Sequence, residues 1–215
     1  MSGNRTDDSK RRIPASLRVL GLAARDWYDD WVNQFVLNLL VALAWITIVL
    51  GPPMLFGLYA VAHELAQGRT RGPGELFRAA KQYLGMSWRW ALVELLVGVV
   101  IAVNVIFYWR LERSWSIILA SLMFFLGLFW AMAQIYVIPF VMFQKTKSLK
   151  LAFKNAILTF LAAPGFTFVL FLVHLLILAA SILFILPMIL AGPALVAIIG
   201  EWAVRDRLRA FAIIE

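Results

Sequence analysis

The chain has 215 residues, of which 63% are hydrophobic and 15% charged, with a mean hydropathy of +0.85 and a net charge of +8. A water-soluble domain is about 45–50% apolar and about 25% charged, so this composition excludes an ordinary globular enzyme, a disordered regulator and a fibrous repeat. Cys is absent, which removes disulfides, thiolate metal sites and Cys nucleophiles.

The N-terminal arm carries Arg5, Lys10, Arg11, Arg12, Arg18 and Arg25. Residues Met1–Lys10 are expected to be disordered. Ile13, Leu17, Leu20, Ala24, Trp27 and Trp31 then recur every three or four residues, which predicts an amphipathic helix over 14–31 lying at the cytoplasmic membrane interface. Arg18 interrupts the apolar stretch that follows Lys10-Arg11-Arg12, so it is not read as a signal peptide.

A transmembrane helix needs about 20 apolar residues. Val32 to Ala62 has no Asp, Glu, Lys or Arg. Trp90 to Trp109 has only Glu94. Ser114 to Gln144 is again uncharged, and so is Asn155 to Gly200 for 46 residues. Forty-six residues make a straight helix of ~69 Å, about twice the hydrocarbon core. That run must turn back. Pro164, Pro187 and Gly192-Pro193 mark the places where it can, as Gly51-Pro52-Pro53 does in the first run.

Lys and Arg crowd every polar segment except the short link holding Arg110 and Arg113. The positive-inside rule therefore places only that link outside. The expected fold is all-α, a polytopic transmembrane helical bundle with two Gly-Pro broken helices and basic amphipathic interfacial helices. Its six membrane segments are Asn33–Leu50, Met54–Ala66, Trp90–Trp109, Ser114–Gln144, Phe166–Leu186 and Ala194–Val204, the shorter return pieces being candidates for re-entrant helices. Both termini lie in the cytoplasm. Five crossings with one terminus outside is the alternative. The organisation is an arm (1–31), a transmembrane domain (32–204) and a tail (205–215).

Two basic amphipathic stretches are expected. In the first, Leu76, Phe77, Ala80, Leu84 and Trp88 oppose Arg78 and Lys81. In the second, Leu149, Ala152, Phe153, Ala156 and Phe160 face the membrane while Lys147, Lys150 and Lys154 face water. All five cations are candidate contacts for anionic lipid or a partner protein. Phe77-Arg78-Ala79-Ala80 also matches Phe153-Lys154-Asn155-Ala156, and Pro53-Met54-Leu55-Phe56 resembles Pro139 to Phe143 with one insertion. A duplication relating 32–109 to 114–204 is one reading of these matches, and chance likeness between apolar sequences is the other.

The sequence of Asn38-Leu39-Leu40, Thr47-Ile48, Gly51-Pro52, Leu58-Tyr59-Ala60-Val61, Gly68 and Phe77 resembles the YesL-like bacterial integral membrane proteins, over roughly Val32 to Arg207. Pro53 departs from the pattern. The resemblance implies a bacterial inner-membrane location and an accessory role beside carbohydrate import systems.

Catalysis needs paired acids, a nucleophile with a base, or a metal cluster. His63 and His174 are the only histidines, and no metal-binding or phosphate-cradling motif is present. No cofactor is expected, and the chain reads as a non-enzyme. The carboxylates of 25–30 read as a solvated helix face. The net positive charge borders the apolar runs, which favours membrane topology over nucleic-acid binding.

The informative residues are polar groups inside lipid. Glu94, Asn104, Gln134 and His174 are a candidate intramembrane polar site. The simpler reading leaves Glu94 paired with Arg89 or another cation and His174 bonded to a backbone carbonyl. His63-Glu64 reads as an interfacial cap. Gly51, Pro52, Pro53, Gly192 and Pro193 are candidate hinge or binding positions, because a broken helix exposes backbone dipoles. Tight turns are the alternative. The leading expectation is a transport-system accessory or assembly component, with transporter subunits, the lipid bilayer and a second copy of the chain as candidate partners. An independent channel or proton-coupled carrier is the other.

Overall fold

The computed structural model describes residues 13–184 and 191–214. Met1–Lys10 and the break expected at Pro187 lie outside the described residues. Among these residues there are nine helices and no strand.

Helix α1 (Ala15–Asp29) docks on the last helix, α9 (Gly192–Ala210), through buried Ser16, Val19 and Ala23, with Leu20 and Trp27 partly covered. The expected apolar face is displaced, since Ile13, Leu17 and Trp31 are more than half exposed and Ala24 is exposed. The helix has one apolar stripe against protein and another facing outward. In a lipid-bathed chain apolar periodicity cannot tell these apart. Arg18 pairs with Asp206, and Trp202 Nε1 donates to Asp26 Oδ2 at 2.7 Å.

Burial pushes the Asp26 carboxyl above the usual carboxylate range, against the lowering effects of the Trp202 hydrogen bond and Arg25. The folded state thus holds this proton more tightly than the unfolded chain does. Its contribution to stability is greatest at acid pH and is lost as pH rises through the raised folded value. We expect α1 docking to tighten on acidification just above the ordinary carboxylate range, and Asp26→Asn to flatten that dependence. Hydrogen exchange of α1 amides against pH measures it, and an unchanged profile in the variant contradicts the assignment.

Helices α2 (Trp31–Ile46) and α3 (Gly51–Leu65) form a hairpin. They are ~24 and ~22 Å long. The turn at 47–50 is exposed and, Thr47 apart, apolar, and Ile48 adopts a left-handed φ of 59°. Each of its N–H groups finds an acceptor in or beside the turn: Thr47 on Ala44 O, Ile48 on Trp45 O, Val49 on Thr47 O and Leu50 on Thr47 Oγ1.

Helix α3 is the centre of the molecule, with eleven of its fifteen residues buried by protein. Helix α4 (Pro73–Gln82) packs along it through Leu76, Ala79 and Ala80. Gly57 permits this approach, because a Cβ there would lie 2.4 Å from the Leu76 carbonyl oxygen. Phe77 and Leu84, expected on the apolar face with Leu76 and Ala80, are half exposed.

Helices α5 (Leu84–Arg110) and α6 (Ser114–Phe143) make the long hairpin expected from the uncharged runs, turning at 111–113 with Glu112 at a φ of 49°. Helix α7 (Leu149–Ala162) returns along α6. Its Ala152, Ala156 and Phe160 are buried, and Leu149 and Phe153 pack against the core. The face expected to meet lipid therefore meets protein, and Leu151, Ile157, Leu158 and Leu161 are exposed instead. Helix α8 (Pro164–Leu183) follows after the single residue Ala163, as α5 follows α4 after Tyr83. The order of a helix, a short basic helix folded back on it and a long apolar helix thus occurs twice. The prolines do not correspond: Pro53 opens α3, whereas Pro139 lies inside α6 near its end.

Three helices, α5, α6 and α8, are long and apolar enough to cross a membrane. The other expected segments are helical but differ in kind. Helix α2 is apolar but shorter, α3 is sheathed by protein, and α9 carries Glu201, Arg205, Asp206, Arg207 and Arg209.

Candidate functional site

Gly200 sets the position of α9. A Cβ on it would lie 3.0 Å from the Ile135 carbonyl oxygen and from Pro139, and 3.4 Å from the Tyr59 ring. Without a side chain at Gly200, α9 lies close against α6 and α3. The next residue, Glu201, is 0% exposed and reaches His63 on α3, whose Nδ1 lies 2.9 Å from Glu201 Oε2. The Phe143 and His63 rings meet edge-to-face with centroids 4.7 Å apart. Glu201 Oε1 is buried with no hydrogen-bond partner.

His63 borders a cavity of about 260 Å³ whose polar lining also includes Glu64, Glu75, Gln82, Tyr83 and Lys147. Glu64 is held by Arg69 at 2.8 Å and Arg71 at 3.3 Å. Lys147 donates to the Met142 carbonyl at 2.9 Å. Burial lowers the Lys147 pKa, opposed by the negative charge of Glu201. An imidazole bonded to a buried carboxylate, with one carboxylate oxygen unengaged and an ammonium nearby, can hold and exchange a proton or bind a small polar group.

The polar residues expected to share one intramembrane cavity are not bonded to one another. Glu94 Oε2 accepts from Trp130 Nε1 at 2.9 Å, rather than pairing with Arg89. Asn104 donates to Val100 O at 2.8 Å, and His174 Nδ1 bonds Leu170 O at 2.8 Å, each within its own helix. Gln134 has no hydrogen-bond partner for either amide atom.

The Gly-Pro positions open helices. Gly51, Pro52 and Pro53 form the first turn of α3. The prolines have no N–H, Gly51 N donates to Ile48 O, and Met54 N to Leu50 O. The start of α3 presents no free donor to a ligand. Gly192 and Pro193 open α9, where the Ala194 N–H is taken by Asn38 Oδ1 at 2.8 Å. We expect Asn38→Ala, which strands this buried donor, to lower stability by about 1–3 kcal/mol. Thermal unfolding in detergent measures the loss, and an unchanged midpoint would show that the cap contributes nothing.

Of the basic residues, Lys81, Lys150 and Lys154 are exposed, and Arg78 is exposed and paired with Glu75. Lys147 instead belongs to the cavity. Sequence reasoning missed Glu201 and Asn38. Glu201 is the first charge after the longest uncharged run and follows a glycine, which was the available signal.

Compared with known proteins, the chain matches no family profile, no curated protein and no solved structure.

Proposed function

We propose that this chain is a non-enzymatic protein of the bacterial inner membrane, both termini cytoplasmic, serving as an accessory or assembly component of a solute transport system. Carbohydrate uptake is the substrate class that the YesL-like resemblance implies. The observation that carries the reading is the α5–α6 hairpin. Only Ser87 of α5 is buried, and Gly98, Ala102 and Gly127 line an open groove between the two helices. No atom lies within 4 Å of where a Gly98 Cβ would stand. Small residues on an uncovered apolar face admit a further transmembrane helix. Lys81, Lys150 and Lys154 offer cations to anionic lipid or a partner at the other end. Affinity purification from the native membrane tests this. Stoichiometric transporter subunits are the expected result, and recovery of the chain alone overturns it.

The His63–Glu201 pair favours a second reading, a small-solute or proton-coupled carrier. Reconstituted liposomes would then show flux that falls in Glu201→Gln, and no flux across a broad solute panel counts against it.

A further inference from the structure

Between α5, α6 and α7 lies a cavity of about 490 Å³, lined by Leu96, Val100, Phe129, Trp130, Phe160 and Leu161 among others. Of the side chains that line it, only Trp130 carries a polar atom. Leu96, Val100, Phe129 and Leu161 are each about half exposed or more. In a bilayer these side chains meet hydrocarbon, so the cavity is entered from the membrane. Two ring contacts shape its wall: Phe129 against Phe160, with centroids 5.6 Å apart, and Trp130 stacked on Phe153 at 5.4 Å.

The one polar atom of this wall leads to a carboxyl group. Trp130 Nε1 donates to Glu94 Oε2 at 2.9 Å, and Glu94 Oε1 is buried with no hydrogen-bond partner. Glu94 forms no ion pair among the described residues. The nearest cation in sequence, Arg89, runs back instead, 4.0 Å from where a Gly85 Cβ would stand. An ionisable group on a membrane-spanning helix is costly without a counter-charge, and marks a site.

The chemistry of the wall selects the entrant. An anion would be repelled by the carboxylate. An inorganic cation needs several oxygen ligands, and the wall leads to one carboxyl. A neutral lipid fills the cavity and leaves Glu94 as it was. A monocation on an apolar body satisfies both parts: the carboxyl supplies the negative charge, aromatic faces attract cations, and the aliphatic lining takes the body. The cation displaces any proton that the carboxyl carries to solvent, so the bound site is an ion pair.

From a carboxyl without a counter-ion, bonded to the indole of an aromatic cavity that opens toward hydrocarbon, we propose that α5, α6 and α7 bind a lipophilic organic cation. The site is separate from the His63–Glu201 pair, and it rests on membrane residence alone, not on the accessory or carrier role.

The test uses the full chain purified in a neutral detergent and titrated calorimetrically, in separate experiments, with tetraphenylphosphonium and tetraphenylborate. The two probes share size, shape and apolar surface and differ in the sign of their charge. The net charge of +8 favours the anion, so a preference for the cation reports the site. Tetraphenylphosphonium is expected to bind at least about tenfold more tightly, since one unit charge at close range in a partly buried site suffices for that. Glu94→Gln keeps an oxygen for Trp130 and should weaken tetraphenylphosphonium by about tenfold or more. Glu112→Gln, exposed in the turn at 111–113, should leave it unchanged. Should Glu94→Gln fail to fold, the two probes on the unaltered chain decide. Equal affinity for the two probes, or an unchanged cation affinity in Glu94→Gln, overturns the proposal and makes the cavity a plain hydrocarbon contact. An equal loss in Glu112→Gln also overturns it, because the effect is then one of net charge.

Discussion

Gly57→Ala is expected to lower stability by about 3 kcal/mol, the upper part of the usual range for overpacking a core. The added methyl group would stand 2.4 Å from a backbone oxygen of α4, and backbone cannot rotate away as a side chain can. Helix α4 must then separate from α3, which opens the contact at Leu76 and disturbs Glu75, Gln82 and Tyr83 on the cavity wall. Gly98→Ala provides the contrast. Nothing lies within 4 Å of its Cβ position, so the helix gains about 1 kcal/mol from the better helix former. Thermal unfolding of both variants in the same detergent measures the pair of effects. Similar midpoints for the two would contradict the close approach of α3 and α4.

The second large effect is expected at His63. Removing one partner of a buried hydrogen-bonded pair leaves the other unsatisfied and costs about 1–3 kcal/mol, more if the stranded group is charged. His63→Ala should therefore destabilise strongly, because Glu201 is wholly enclosed and its second oxygen already lacks a partner. Replacing both residues with leucine should recover much of the loss, since an apolar pair leaves no buried polar group unsatisfied. A double-mutant cycle separates the pair from its surroundings. If the two single losses simply add in the double variant, His63 and Glu201 are not energetically coupled and the site has no pair at its centre.

The sequence made the helical class legible, together with the α5–α6 hairpin, because long uncharged runs separated by Arg110 and Arg113 leave few other arrangements for the backbone in lipid. The orientation of individual helices was much less legible. Apolar side chains of α1 and α7 occupy both the protein-facing and the outward-facing sides, so spacing identified a helix without saying which stripe is covered. At α3 the uncharged stretch, expected as a short return piece, is enclosed by neighbouring helices, which the sequence did not indicate. The candidate site was nearly invisible for a related reason. Glu201 reads in sequence as the first charge beyond a membrane segment, and only the close packing at Gly200 turns it inward to His63, 138 residues away along the chain.

The turn joining α2 to α3 carries a further consequence. Two prolines and the Thr47 hydroxyl leave its N–H groups without any need for water. Dehydrating the N–H groups of this tip therefore carries little penalty, while the Ile46 and Val49 carbonyls, which no backbone N–H of the turn reaches, favour the headgroup level. The depth it reaches balances these against how well Trp45, Ile46, Ile48, Val49 and Leu50 are solvated by hydrocarbon. A thicker bilayer should draw the tip further under its surface, and a spin label at Val49 would record that immersion directly.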